Sequence, residues 1–99
     1  MSVTTVTYWK GGRPEDVVAA AKKAKAIFAK HGAHNFQLNR VHAGPEAGQW
    51  AVVTSFSDWA AYGKLQQALA DDDTYQKLLA QVSAMSELTS RRIVVSVDL

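Results

Sequence analysis

Residues Gln49 to Tyr62, QWAVVTSFSDWAAY, contain a predicted strand followed directly by the start of a helix. Trp50 to Phe56 is rich in aromatic and β-branched residues and contains no Gly or Pro, which is typical of a central strand. Ser57 or Asp58 can cap the helix that follows, because a short polar side chain accepts hydrogen bonds from the free N–H groups of the first turn. Apolar residues then recur at helical spacing, at Trp59, Tyr62, Leu65 and Leu69. This corner determines the fold, but it contains no motif with a recognisable chemistry.

The composition of the chain is that of one ordinary globular domain. Of its 99 residues 47% are hydrophobic and 20% are charged, and a chain of this length supports one core but not two. We therefore expect a single domain spanning residues 1–99. The absence of Cys excludes disulfides and thiolate metal sites. The N-terminus has neither the basic start nor the apolar run of an export signal, so we expect a cytoplasmic protein.

The basic residues do not indicate a polymer-binding surface. The net charge is +2, and the only dense group of cations lies on one predicted helix, at Lys22, Lys23, Lys25 and Lys30. A solvated helix face explains this group better than a nucleic-acid surface, which would require a denser stripe with exposed aromatic residues. No apolar stretch is long enough to span a membrane. We expect neither nucleic acid nor a membrane as a partner.

The remaining elements follow from strand propensity and helix capping. Three further strands are predicted, at Val3 to Trp9, Asn35 to Ala43 and Arg92 to Leu99. A first helix begins at Pro14 and stops before Gly32. The helix that begins at Asp58 is broken by three consecutive Asp residues, one of which caps a further helix that carries Tyr75, Leu78, Leu79, Val82 and Met85. This order predicts an α+β fold of the ferredoxin-like type, β-α-β-β-α-β, with an antiparallel sheet and helices on one face.

The alternation of residues along the strands sorts the sheet into two faces. We expect Trp9 to lie opposite Trp50 in the first and third strands, and His42 to lie opposite Trp50 in the hairpin. One face then carries Val3, Thr5, Thr7, Trp9, Phe36, Leu38, Arg40, His42, Trp50, Val52, Thr54 and Phe56. The other face carries Val6, Tyr8, Val41, Ala51 and Val53. We expect the helices to cover this second face and a second copy of the chain to cover the aromatic-rich one, because a large exposed apolar area marks an interface or a ligand site.

The segment FSDWAAYGKLQQALADDDTYQKLLAQ, preceded by WAVVTS, resembles the signature region of dimeric α/β-barrel proteins. The pattern is most similar to antibiotic-biosynthesis-monooxygenase (ABM) and NIPSNAP-type domains. This resemblance implies a homodimer that packs sheet against sheet and a pocket either between sheet and helices or within the shared barrel. Haem-degrading members use an Asn, a Trp and a His at positions that correspond here to Thr5 or Thr7, Phe56 and Leu79. The resemblance therefore implies no haem degradation and no cofactor.

Candidate site residues are few and come from the predicted aromatic-rich face. Arg40 and His42 are weak catalytic candidates, since a His can act as a base near neutral pH, although a structural role for it is more common. The candidate ligand-binding residues are Trp9, Trp50, Thr5, Thr7, Phe56 and Tyr62. We expect Trp59 and Tyr62 to anchor the second helix as core residues.

No metal site is predicted. His31 and His34 lie on either side of Gly32 and have no third ligand nearby. Asp71 to Asp73 lack the alternating spacing of a calcium loop.

Two functional hypotheses follow from this pattern. In the first, the protein binds a planar apolar small molecule or acts as a cofactor-independent, monooxygenase-like enzyme, with Arg40 and His42 at the polar end of the ligand. In the second, it is a non-catalytic structural or regulatory homodimer whose barrel is filled by its own aromatic side chains. An open cavity bordered by Arg40 and His42 would favour the first.

Overall fold

The computed structural model describes all 99 residues, Met1–Leu99. The elements in chain order are β1 (Val3–Lys10), α1 (Pro14–Lys30), β2 (Gln37–Arg40), β3 (Trp50–Phe56), α2 (Trp59–Ala70), α3 (Asp73–Met85) and β4 (Glu87–Val95). The four strands form one sheet in the order β2-β3-β1-β4, and every neighbouring pair is antiparallel. The predicted ferredoxin-like α+β fold is confirmed. No helix has both the length and the apolar character needed to cross a membrane.

The break between α2 and α3 and the caps around it follow the sequence prediction. Asp58 accepts a hydrogen bond from the backbone N–H of Ala61 at 2.8 Å and so caps α2. Among the three consecutive Asp residues, Asp72 caps α3 by accepting from the N–H of Tyr75 at 3.0 Å. Each bond satisfies a backbone donor that the first helical turn leaves without a partner.

The central pairing is confirmed, but the hairpin register is wrong by two residues. Trp9 lies opposite Trp50 as predicted. The residue of β2 opposite Trp50 is Arg40, not His42. The chain leaves the ladder earlier because Val41 makes the last backbone bonds, to Gln49 and Gly48, and the following residues form a turn. A shift of two residues preserves the alternation, so side chains of β2 keep their expected faces.

Two strand boundaries also differ from the prediction. β2 is shorter than the predicted span of 35–43, because the side chain of Asn35 replaces the ladder at its start: it donates to the Ser55 carbonyl at 2.8 Å and accepts from the Ser55 N–H at 3.3 Å. β4 begins at Glu87 instead of Arg92, immediately after α3, and ends at Val95. Its first residues are mostly polar, so residue type alone did not indicate a strand.

The assignment of the two sheet faces was wrong. The helices cover the aromatic-rich face, where Val3, Phe36 and Phe56 join Phe28, Ala33, Leu65 and Leu69 in the hydrophobic core. The rings of Phe36 and Phe56 on this face bury more apolar surface against the helices than the smaller side chains of the other face would. The homodimer interface predicted on the aromatic-rich face is therefore excluded, because that face is already covered within the chain.

The outer face of the sheet, opposite the helices, carries the smaller residues. Its apolar members include Val6, Val53 and Val94, and Val94 is 55% exposed. One end of this face is partly covered: the guanidinium of Arg92 lies 5.2 Å from the ring centroid of Tyr8, and Arg92 forms a salt bridge with Glu46 at 2.8 Å. The open part of the outer face therefore surrounds the three valines.

The aromatic residues of α2 are divided between core and surface. Tyr62 packs edge-on against Phe56, with ring centroids 5.5 Å apart, and borders the core as predicted. Trp59 is 48% exposed, so its predicted role as a core anchor is wrong. It lies in the first turn of α2, beyond the end of β3, where it contacts the ring of Tyr62 and leaves much of its own surface in solvent.

Candidate functional site: a cavity between sheet and helices

A cavity of about 400 Å³ lies between the inner face of the sheet and the three helices. The sheet contributes Thr5, Thr7, Trp9, Leu38, Trp50, Val52 and Thr54, and the helices contribute mainly alanine, leucine and valine side chains. Small-molecule sites typically measure about 300–1,000 Å³ and are mostly apolar with a few polar groups. The cavity has the size and the lining of such a site.

The space exists because α1 brings small residues to the sheet. Ala24 lies one turn after Ala20 and Ala21 on the same side of this helix, and all three line the cavity. Alanine side chains are too short to fill the space between this helix and the small Thr residues of β1. At the closed end of the cavity the rings of Phe28 and Phe36 pack edge-on, with their centroids 5.0 Å apart. The interior is thus packed at one end and open at the other.

The cavity opens beside β4, which the helices leave uncovered. Leu88, Ile93 and Val95 pair with inner-face residues of β1, yet they are 50%, 43% and 37% exposed. Leu88 and Arg91 belong to the cavity lining and are both exposed. A ligand can therefore enter from the β4 side without movement of the sheet.

Several polar groups in the lining already have partners. The Oγ1 atoms of Thr5 and Thr54 are hydrogen-bonded to each other at 2.7 Å across β1 and β3. The hydroxyl of Ser86 donates to the carbonyls of Lys10 and Gly11, at 3.1 and 3.2 Å. These bonds hold the strands and the end of α3 in place, so the groups are poorly placed to select a ligand.

Tyr75 and Arg91 are the only ionisable residues among the side chains that line the cavity. Burial raises the pKa of Tyr75 above its ordinary value of 10.0, and the positive charge of Arg91 opposes this rise. The tyrosine is therefore a neutral hydroxyl at physiological pH. Arg91 makes no side-chain hydrogen bond or salt bridge within the chain, so its guanidinium remains available at the opening.

Four of the six predicted ligand-binding residues line the cavity. Thr5, Thr7, Trp9 and Trp50 do so, although the cavity lies beneath the helices and not in a space between two sheets. Phe56 and Tyr62 lie outside the lining, and their rings pack against each other beside the core.

The two catalytic candidates do not border the cavity. Arg40 lies at the end of β2 with its guanidinium carbon 4.2 Å from the ring centroid of Trp50, on the exposed side of that ring. His42 is exposed in the turn after β2. The expectation that these residues orient the polar end of a ligand in the cavity is not met, because the guanidinium of Arg40 lies over the ring of Trp50 and β2 ends before His42.

Sequence reasoning missed Arg91, and it placed Tyr75 only as an apolar helix residue. The predicted fourth strand began at Arg92, so Arg91 was assigned to a loop and received no face. Once β4 is extended to Glu87, Arg91 pairs with Thr7 and therefore lies on the inner face. The alternation that placed Thr7 would have located Arg91 if the strand boundary had been known.

A second polar cluster joins the end of α1 to the start of α3, outside the cavity. The buried carboxylate of Asp72 is 2.7 Å from His31 Nε2 and 3.7 Å from Lys30 Nζ. The hydrogen bonds from His31 and from the Tyr75 N–H hold the pKa of Asp72 below its ordinary value of 3.8. This cluster contains only two groups that ligate metals, and no group of three such residues occurs in the structure. Its geometry is that of a structural link between helices.

Solved structures share this architecture over nearly the whole chain. SnoaB from Streptomyces nogalater, a cofactor-independent oxygenase, superposes with a TM-score of 0.74 at 14% identity, covering 99% of this chain and 95% of its own. This chain has the same fold as SnoaB. A NIPSNAP domain protein from Burkholderia xenovorans matches with a TM-score of 0.74 at 15% identity, covering 98% and 95%. A NIPSNAP family protein from Agrobacterium tumefaciens matches with a TM-score of 0.66 at 18% identity, covering 97% and 94%.

The comparison of sequences alone finds less. No family model matches the chain, and a search of curated proteins gives no significant match. The resemblance seen in the sequence pattern is thus confirmed at the level of the ABM- and NIPSNAP-type fold. Sequence identities this low do not show that the chain shares the activity of any of these proteins.

Proposed function

We propose that the protein binds a planar apolar small molecule in the cavity between its sheet and helices. The observation that carries this proposal is an apolar space of about 400 Å³ with an opening beside β4. The indole rings of Trp9 and Trp50 lie on the sheet side of this space and offer flat surfaces for an aromatic ligand. A space of this size argues against the alternative hypothesis of an interior filled by the chain's own side chains.

Binding is favoured over turnover by the chemistry of the lining. An oxygenase that works without a cofactor needs a group that removes a proton from its substrate, and such a base must lie within hydrogen-bond reach. No Asp, Glu, His or Lys lines the cavity, and Tyr75 is protonated at physiological pH. The fold shared with SnoaB keeps oxygenase activity as the second candidate, restricted to substrates that ionise without help from the protein.

The binding site is tested by filling the cavity from α1. Ala20 lines the cavity, whereas its neighbour Ala19 is exposed and does not. Ala20→Phe should abolish the binding of 2-naphthol, followed by the fluorescence of the tryptophans, and Ala19→Phe should bind as the wild type does. Binding that survives Ala20→Phe would place the site elsewhere. Oxygen uptake measured with the same phenol would detect the oxygenase alternative.

We also propose that the chain forms a homodimer through the outer face of its sheet. The support is that nothing in the chain covers the open part of this face, where Val6, Val53 and Val94 lie. A stable interface buries more than about 1,000 Å², so it would extend well beyond these three valines over the sheet. Packing of sheet on sheet would leave the cavity of each protomer intact, because the cavity lies on the opposite face.

A further inference from the structure

The cavity combines an apolar interior with a single permanent charge at its opening. Arg91 is the only charged side chain in the lining, and no carboxylate lies among the residues around it there. Elsewhere on the inner face the other arginine, Arg40, is occupied by stacking on Trp50. Arg91 therefore gives the opening a positive potential that nothing in the lining neutralises.

Arg92, the next residue of β4, is an arginine that does have partners in this sheet. Arg92 lies on the outer face and is held by Glu46 at 2.8 Å and by the ring of Tyr8 at 5.2 Å. Arg91 forms neither a salt bridge nor a cation–π contact, although both arginines belong to the same strand. An unpaired guanidinium at an apolar opening is matched by a planar oxyanion, since its N–H groups can bond both oxygens of a carboxylate at once.

Tyr75 adds a second donor on the helix side of the cavity. It lines the cavity, its ring packs edge-on against Phe28 at 5.9 Å, and the charge of Arg91 opposes the rise in the pKa of its hydroxyl that burial causes. A neutral phenol can donate a hydrogen bond to an anion, whereas a phenolate would compete with it for the guanidinium. The protonated state of Tyr75 therefore keeps Arg91 free.

We propose that the ligand of this cavity is an aromatic carboxylate, with its ring between Trp9 and Trp50 and the alanines of α1, and its carboxylate on Arg91. This inference rests on the proposed small-molecule function and specifies the chemical class of the ligand. The carboxylate would stay at the solvent side of the opening, so its desolvation cost is small. The ring would displace water from the apolar part, which supplies most of the affinity.

The test compares two probes of nearly the same shape, the anion naphthalene-2-carboxylate and the neutral naphthalene-2-carboxamide. Binding is followed by tryptophan fluorescence in the wild type, Arg91→Gln, Arg91→Lys and Arg92→Gln. A hydrogen-bonded charge at a partly exposed site corresponds to a preference of about tenfold for the carboxylate. Arg91→Gln should bind both probes equally, Arg91→Lys should keep part of the preference, and Arg92→Gln should keep all of it.

The outcomes separate this inference from the function on which it rests. Equal binding of both probes by the wild type would overturn the carboxylate assignment and leave small-molecule binding in place. A preference that survives in Arg91→Gln would likewise overturn it, because the anion would then be held elsewhere. If neither probe binds, the proposed function fails and the inference fails with it. Thermal unfolding of each variant confirms that the fold is retained, as expected for a side chain exposed at the surface.

Discussion

The hydroxyl pair of Thr5 and Thr54 offers a quantitative test of the floor of the cavity. The two Oγ1 atoms are 2.7 Å apart, and the residues are only 8% and 3% exposed. Changing either residue to Val keeps the branched shape that suits a strand and leaves the other hydroxyl without its partner. Changing both removes the pair completely, so no unsatisfied polar group remains.

The expected magnitudes follow from this asymmetry. A buried polar group that loses its partner costs about 1–3 kcal/mol, and the adjacent cavity can supply a water, which favours the lower limit. We expect Thr5→Val and Thr54→Val each to lower the free energy of unfolding by about 1 kcal/mol, and the double variant to unfold with about the wild-type free energy. The interaction energy of the double-mutant cycle is then about 2 kcal/mol.

Urea unfolding at one fixed protein concentration, followed by tryptophan fluorescence, provides the free energies, and an unchanged slope with denaturant would show that only stability changed. The matched control is the pair Thr4 and Ser55 on the outer face, whose hydroxyls are 2.9 Å apart but partly exposed. In a Val6→Lys background, which keeps the outer face open to solvent, water can replace either partner, so that cycle should give less than about 0.5 kcal/mol. If the losses at Thr5 and Thr54 simply add in the double variant, the two hydroxyls do not depend on each other and the account of the floor is wrong.

Three further predictions concern other parts of the molecule. The pKa of Asp72 is lowered in the folded protein, so the ionised carboxylate stabilises the fold at pH values above its ordinary pKa of 3.8. This contribution disappears as the pH falls through the lowered pKa. The melting temperature of Asp72→Asn, which can still cap α3, should therefore fall less between about pH 5 and pH 2 than that of the wild type, measured by circular dichroism. Val6→Lys should convert the dimer to monomers in light scattering at micromolar concentration, and Val18→Lys, at an exposed site on α1, should not; a monomeric wild type would refute the interface. A double-mutant cycle on Arg40 and Trp50 should give an interaction of about 0.5–1 kcal/mol, and additive losses would show that the observed stacking contributes nothing to stability.

Residue type and alternation predicted the fold and the two sets of residues on the sheet, but not which set faces the helices. Trp50, Thr54 and Phe56 share a face because strand residues alternate, and this holds whatever packs against them. The choice between faces depends on volumes that are summed across two layers. The helices cover the face with the larger side chains, and the alanines of α1 leave a cavity there. The periodicity of a sequence does not show the total side-chain volume of two packed layers.

The site was predicted only in part, for a reason that is local to strand boundaries. Trp9 and Thr7 were located because every residue from Val3 to Trp9 is β-branched or aromatic, which marks the strand clearly. Arg91 was missed because the polar start of β4 has weak strand propensity, and the strand forms there because it pairs with β1 over its whole length. Long-range pairing overrides local preference, and a single sequence does not display it.

The two edge strands of the sheet, β2 and β4, affect whether copies of the chain can pair edge to edge. β2 has only four residues, and β4 carries Arg91 and Arg92 side by side. A free strand with unpaired backbone groups is a template for adding another chain, and short length and charge are the common protections against it. Two copies aligned edge to edge along antiparallel β4 strands, in a register that pairs these positions, would bring like charges opposite each other on both faces of the sheet. Continuous sheets that run from one molecule into the next, and the fibres that grow from them, are therefore disfavoured at both borders of this sheet.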